Sequence, residues 1–400
     1  MGEHEKQTSW AALKTAFAVD KDHPDEPVAV VFAANDYYAP YLSALIASLL
    51  AHRSSERRYD LIVLSADFSE RNQRIFHEAF AADDVSLRFL DVTEAMRPYG
   101  ERLPVRGHFK LETYFRLLLP QLLPDYAKIL YLDADMICLA DVAELFDTDV
   151  EGYLVAACKD ADTAGIYNGV DRDLGQPDKK GYMDDVLGIE QPFEYFQAGT
   201  IVFNLDEWRR SIDVEEVFRF AQRERWQLLD QDVLNYFCQG RCAFLDMAWN
   251  VMFDLEGFRV REIIARAPRE LREAHLAARE HPKIVHYAGN IKPWDDPTCD
   301  FAECFWHYAR QAPLYEVALG RMQAAATDRT LGTEVRDARK VAQAALSEGE
   351  LALSMADDAL VRLERVEARF ERLPTVRAWR FAQRHIIRPL ERVLREIHGA

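Results

Sequence analysis

The sequence predicts an α/β protein with a mostly parallel sheet covered by helices on both faces. Three observations predict it. Short apolar runs rich in Val, Ile, Leu and Tyr recur along the chain. Most of them are apolar at successive positions rather than alternating, the pattern of strands buried on both faces. Strand-like and helix-like segments alternate over about the first 160 residues, which implies parallel strands joined by helical crossovers.

The expected strands are Val28–Ala33, Tyr59–Ser65, 86–92, 128–132, 153–157, 200–204 and 283–287. Helical spacing places Leu42, Leu45, Ile46, Leu49 and Leu50 on one stripe of a helix over 41–52. A second helix is expected over 69–80, where Ser69 suits the capping position and Glu70 follows. Leu111–Leu118 and 214–223 complete the helical set. The stretch 165–191 is rich in Gly, Asp, Asn and Tyr without a period, so a long binding loop is expected there. Residues 258–280, charged and Ala-rich, suggest an inserted helical excursion. Residues 1–26 form an N-terminal extension, 27–330 the main domain, and 331–400 a helical C-terminal extension. Its end, 374–400, carries six Arg against two Glu with apolar residues interleaved. Such a helix fits either a partner subunit or an anionic membrane face.

The chain has 400 residues, 49% hydrophobic and 29% charged, which excludes wholesale disorder. Its net charge of −18 argues against a general nucleic-acid binder. Six cysteines, none in a C-x-x-C pair, suggest reduced core residues and not a disulfide framework. The N-terminus lacks a charged-then-apolar secretion pattern, and the apolar stretch 41–51 is too short to span a bilayer. A cytoplasmic location is therefore expected.

In α/β sheets of this kind ligands bind at the carboxyl ends of strands, and chemistry-bearing residues cluster at several expected strand ends. In Ile129-Leu-Tyr-Leu-Asp-Ala-Asp135 an apolar strand ends in two carboxylates two residues apart, on one face. Hard carboxylate oxygens suit Mg²⁺ or Mn²⁺. Asp-x-Asp also occurs at 20/22, 147/149, 160/162, 171/173 and 230/232. These pairs lack the apolar context and read mostly as surface carboxylates or caps. In His286-Tyr-Ala-Gly-Asn-Ile-Lys-Pro-Trp294, His286 can ligate a metal, Gly289 permits close backbone approach, and Lys292 can neutralise a phosphate. Pro293 and Trp294 are expected to hold the turn.

Asp230 is expected to cap a helix whose first turn projects Gln231. Gln197 and the small pair Ala198-Gly199 precede a strand and leave room for a ligand. Ala33, Ala34, Asn35 and the aromatics Tyr37 and Tyr38 follow the first strand and suit a planar base. Arg116, in an apolar helix, needs an acidic partner or a ligand. No G-x-G-x-x-G or P-loop motif is present, which disfavours a dehydrogenase or P-loop enzyme.

With FAANDYY, TYFRLLLP, YLDAD, FQAGTIVFNL, DQDVLN and HYAGNIKPW in this order, the chain resembles the family 8 retaining glycosyltransferases. These include bacterial lipopolysaccharide galactosyl- and glucosyltransferases and, more distantly, glycogenin. The resemblance implies a GT-A type fold, a UDP-sugar donor and Mn²⁺, with Mg²⁺ as the alternative. It implies metal ligation by Asp133, Asp135 and His286. Ala33, Asn35, Tyr38, Arg116, Asp133, Ala134, Gln197, Gly289 and Lys292 would hold the donor. Asp230 and Gln231 would be catalytic, Gln231 beneath the anomeric carbon, and Asp160 would face the acceptor. Two positions depart from the family pattern: Gln197 stands where the family has Asn, and Asn35 where it has Asp.

The implied reaction moves glucose or galactose to a glycan or glycolipid by front-face substitution with retention. A cytoplasmic enzyme, peripheral on the inner membrane face or self-associated through 374–400, is the matching expectation. A glycogenin-like self-glucosylating enzyme and a non-catalytic nucleotide-sugar-binding scaffold are the alternatives.

Overall fold

A computed structural model describes residues 13–17, 26–104, 111–170, 178–289 and 291–326. The chain divides into two compact units, Met1–Ala318 and Leu319–Ala400. The expected helical extension 331–400 and its basic end 374–400 lie outside the described residues, as does most of 1–26.

The first unit is built on a seven-stranded sheet. Its strands are β1 (Val28–Ala33), β2 (Tyr59–Ser65), β3 (Val85–Asp91), β4 (Lys128–Asp133), β6 (Val155–Lys159), β7 (Phe196–Asn204) and β8 (Cys242–Phe244). They lie in the order β3-β2-β1-β4-β7-β6-β8. Strands β1 to β4 are mutually parallel, β7 runs antiparallel to both neighbours, and β8 is parallel to β6. The chain steps from β1 outward to β2 and β3, then returns to the other side of β1 as β4. That reversal leaves a crevice at the carboxyl ends of β1 and β4, where Ala33 and Asp133 are register partners.

The helices follow from their sequences. Ala39–Ala51 starts with Pro40, whose missing N–H costs nothing in a first turn. It is buried at nearly every position rather than on one stripe, because Ala302–Ala309 covers the side away from the sheet. Glu70–Phe80 starts at Ser69, whose side chain accepts from the Asn72 N–H, and buries only Phe76 and Phe80.

A second, three-stranded sheet was not legible in the sequence. It joins β5 (Met136–Cys138), β9 (Val251–Met252) and β10 (Ile284–His286), with β10 central. Strand β10 lies within the strand expected at 283–287, whereas β5 and β9, three and two residues long, are too short for periodicity to register. Three other expectations need correction. Leu111–Leu118 is a run of 3-10 turns, not an α-helix. The described parts of the expected loop 165–191 are largely helical turns, including Ile166–Val170, Lys179–Gly181 and Tyr182–Leu187. The excursion at 258–280 consists of two tight turns, Arg259–Ile263 and Ile264–Arg266, followed by the helix Arg269–Glu280.

All six cysteines are free, four of them buried. No helix among the described residues is long and apolar enough to cross a membrane.

Candidate active site

A cavity of about 370 Å³ occupies the crevice at the carboxyl ends of β1 and β4. Six carboxyl groups and three cationic side chains line it, together with His286. An acid excess in a partly closed site is costly without further positive charge.

Asp133 ends β4, and Asp135 lies two residues on, just before β5. Strand β10 pairs antiparallel with β5 and sets His286 opposite Met136. The small sheet thereby carries a residue 151 positions away to the acid pair. His286 Nε2 lies 3.3 Å from Asp135 Oδ1 and 3.8 Å from Asp133 Oδ2. One ligand atom from each of the three residues fits within a sphere where all lie within 4.8 Å of one another.

The imidazole is held from behind. Its Nδ1 is 3.0 Å from Asn250 Oδ1, an acceptor, so Nδ1 carries a proton and Nε2 is the ring nitrogen that faces the acids. Asn250 in turn donates from Nδ2 to Gln197 Oε1 at 2.5 Å, and that oxygen also accepts from the Gly199 N–H at 2.6 Å. Gln197, expected at the donor, lines the cavity and also fixes the His286 orientation through Asn250. Gly199 is small for a reason other than the one expected. A Cβ there would sit 2.5 Å from His286 Cε1 and 2.6 Å from the Met136 methyl, so the histidine ring, not a ligand, occupies that space.

Lys292 Nζ contacts Asp135 Oδ2 at 2.5 Å and donates to the Tyr287 carbonyl at 2.6 Å. Burial works against the charge of Asp135, but Lys292 and then His286 outweigh it and hold the carboxyl well below its ordinary range. Gly289 has φ +135°, a conformation L side chains rarely adopt. Trp294 stacks on Tyr41 with ring centroids 3.8 Å apart, which ties this turn to helix Ala39–Ala51.

Arg116 is buried and pairs with two acids, Asp133 Oδ1 at 2.6 Å and Asp230 Oδ2 at 3.0 Å. It also donates to the Ala198 carbonyl, and its guanidinium carbon lies 4.2 Å from the centre of the Tyr131 ring. Asp230 is not the helix cap. Leu229 takes that position with φ 52°, and Asp232, not Asp230, reaches back to the Leu228 N–H. Asp230 instead accepts from the Thr113 hydroxyl. Burial pushes its carboxyl up to about 6 against the pull of Arg116.

Gln231 is clamped. Its Oε1 accepts from the Ala198 N–H at 2.9 Å, and its Nε2 donates to Asp160 Oδ2 at 2.9 Å. Asp160 caps Ala161–Gly165 by accepting from the Thr163 N–H at 2.9 Å. Its carboxylate thus positions Gln231 and starts a helix at once.

Ala33, Ala34, Asn35 and Tyr38 also line the cavity, as does Ala134, which lies between the two metal-site carboxylates in sequence. Asn35 has both ends of its amide in use: Oδ1 accepts from the Tyr38 N–H at 3.0 Å, and Nδ2 donates to Glu112 Oε1 at 2.7 Å.

Sequence reasoning missed Asn250, Thr113, Glu112, Asp162 and Arg259. Arg259, from the 258–280 excursion, contacts Asp162 at 2.5 Å and donates to the Ala288 carbonyl at 2.9 Å. Burial lifts the Asp162 carboxyl to about 6. Two of the other Asp-x-Asp pairs, 160/162 and 230/232, therefore lie in or beneath the site; the resemblance implied roles for Asp160 and Asp230 but none for Asp162 or Asp232. The first pair directly follows a strand and precedes a helix, a placement that marks strand-end site residues, whereas 230/232 opens a helix with no strand before it.

A family model, "Glycosyl transferase family 8", matches residues 29–298. The lipopolysaccharide 1,3-galactosyltransferase of Salmonella typhimurium is 28% identical over 203 residues, covering 48% of this chain and 52% of the relative. Among solved structures, the WbbM bifunctional glycosyltransferase superposes with a TM-score of 0.66 at 31% identity, over 78% of this chain and 53% of that one. The galactosyltransferase LgtC, solved with donor and acceptor sugar analogues, gives a TM-score of 0.56 at 26% identity, over 71% of this chain and 96% of that one. This chain thus matches about half the length of the first two and nearly all of LgtC. These structures share the GT-A type fold described above.

Proposed function

The chain belongs to glycosyltransferase family 8, and on that premise we propose that it is a metal-dependent, retaining hexosyltransferase that moves glucose or galactose from a UDP-sugar to a glycan or glycolipid acceptor. The observation that carries this reading is the convergence of Asp133, Asp135 and His286 beside Lys292, with Gln231 clamped in the same cavity. The donor set fits a divalent ion. Two carboxylates supply hard oxygens, and the Asn250 contact leaves His286 Nε2 available. A nitrogen in the set favours Mn²⁺ over Mg²⁺. Such an ion would neutralise charge on the diphosphate leaving group.

The chain's own groups do the rest. Lys292 places a fixed positive charge where the diphosphate departs. Arg116 bridges Asp133 and Asp230 and holds both carboxyl groups in place. Gln231 offers an amide, not a carboxylate, beneath the sugar. An amide held at both ends orients the substrate and is a poor nucleophile, which matches front-face substitution in preference to a covalent glycosyl intermediate. In that reaction the bond from the anomeric carbon to the diphosphate oxygen breaks, the acceptor oxygen bonds on the same face, and the acceptor proton leaves with the phosphate. Asp160 holds Gln231 and stands nearest the acceptor in this reading.

The test is a donor screen. Purified protein incubated with UDP-glucose or UDP-galactose and Mn²⁺ should release UDP, and NMR of the first product should show a retained anomeric configuration. Inverted product, or no turnover of any nucleotide sugar with either metal, sinks the proposal. A cytoplasmic enzyme is the matching location.

A further inference from the structure

The cavity holds one further carboxylate, that of Glu112, to which the sequence assigned no role. Asn35 cannot serve as an acceptor-only group, because an amide carries donors as well as acceptors. Its amide is also committed at both ends, to the Tyr38 N–H and to Glu112. Glu112 lines the same cavity, and Asn35 is its one hydrogen-bond partner among the described residues. An ionised carboxylate offers about four acceptor sites and no donor. Among the described residues, most of that capacity in Glu112 is unused.

Glu112 sits on the 3-10 run Leu111–Leu118 four residues before Arg116. At roughly 2 Å rise per residue, about 8 Å separates them along the axis. Arg116 touches the metal-site acid Asp133, and Glu112 lines the same cavity further along this run. Tyr38 and the small residues Ala33 and Ala34 border the same corner.

Building on the UDP-sugar reading, we infer that Glu112, held in place by Asn35, is the base-reading residue that selects uracil. The uracil ring presents an N3–H donor between two carbonyls, and a carboxylate accepts from it. Cytosine presents a bare N3 acceptor at that position, which a carboxylate repels. A site built to pair a polar group rejects the analogue that cannot pair, because a desolvated charge is left unsatisfied. In this arrangement Asn35 holds, and Glu112 reads.

The test is calorimetric titration of the full-length protein with UDP and with CDP, Mn²⁺ present. Wild type should bind UDP at least about tenfold more tightly than CDP, the size expected for one hydrogen bond to a charged group. The isosteric Glu112→Gln variant keeps an acceptor for Asn35 but adds a donor. It should weaken UDP about tenfold and tighten CDP, so the UDP-to-CDP ratio collapses. The double variant Asn35→Asp/Glu112→Gln returns a carboxylate to the corner and should restore the ratio. The ratio is internal to each variant, so a loss of folded protein does not mimic it. A Glu112→Gln variant with the wild-type ratio overturns the role of Glu112 and leaves the donor reading standing. A wild-type protein that binds neither nucleotide overturns both.

Discussion

Two buried charge clusters occupy different parts of the central sheet, and they are built on opposite rules. Toward the amino end of β2, Asp60 is 1% exposed and receives Arg88 through two prongs, at 3.1 and 2.5 Å. The Tyr126 hydroxyl donates to it at 2.6 Å, and Arg88 also donates to the Lys14 carbonyl at 2.5 Å. One acid meets one base, and every partner is filled. At the carboxyl ends of β1 and β4, six carboxyl groups face three cations in an open cavity. The first cluster is complete and holds the fold together. The second is deficient in positive charge, which is what a site for a divalent ion and a charged substrate requires.

The comparison can be broken by neutralising one acid in each cluster. Asp135→Asn should lower turnover roughly a thousandfold, the scale of several kcal/mol of lost charge stabilisation. It should also abolish the rise in melting temperature with Mn²⁺, and because it leaves the buried Lys292 without its acid the metal-free protein should lose stability as well. Asp60→Ala should leave the Mn²⁺ response intact. It strands Arg88 and should cost about 3–5 kcal/mol in urea denaturation, with the Mn²⁺ response of the folded fraction retained. Loss of the Mn²⁺ response in both variants would refute the distinction.

Acid titration sharpens it further. His275 is buried, and burial, with Arg279 and Arg259 adding to it, pulls its pKa down to about 4 from 6.5. Its neutral form is the stable one, so stability present above pH 6.5 is lost as pH falls towards 4, by about 3 kcal/mol. Asp162 in the cavity has the opposite sign. Burial raises its pKa from 3.8 to about 6, so stability is gained as pH falls from 6 towards 3.8, again by about 3 kcal/mol. The two offset in wild type. Metal-free His275→Leu should become more stable between pH 6 and 4, and Asp162→Asn less stable, as read from denaturation midpoints. Parallel profiles for the two variants would contradict these assignments.

The smallest expected effect concerns the packing behind the metal ligands. Gly199→Ala should displace the His286 ring and lower Mn²⁺ affinity about 10- to 100-fold. Metal-free UDP binding should change little. Unaltered Mn²⁺ affinity would show that the close packing of His286 on β7 is dispensable.

Much of this frame was legible in the chain itself. Strands β1, β2 and β4 were expected within a residue of where they lie, because burial on both faces writes a continuous apolar run. The Asp133/Asp135 pair stood out for the same local reason: charge directly after such a run. Arg116 was expected to need an acid, and it has two. The expected cap at Asp230 failed because the backbone turns at Leu229 through a positive φ, which no residue type in that segment announces.

The sequence by itself therefore determined the longer strands of the main sheet, the acid pair at a strand end, the free cysteines and the order of the site segments. Each depends on neighbours a few positions away. Only the tertiary structure decided that Asn250 stands behind His286, that Lys292 meets Asp135 across 157 positions, and that Glu112 brings its carboxylate to Asn35 in the cavity. Those contacts join segments far apart in the chain through two- and three-residue strands and single hydrogen bonds. Such links leave no period and no run in a sequence, because the geometry that creates them exists only once the sheets are assembled.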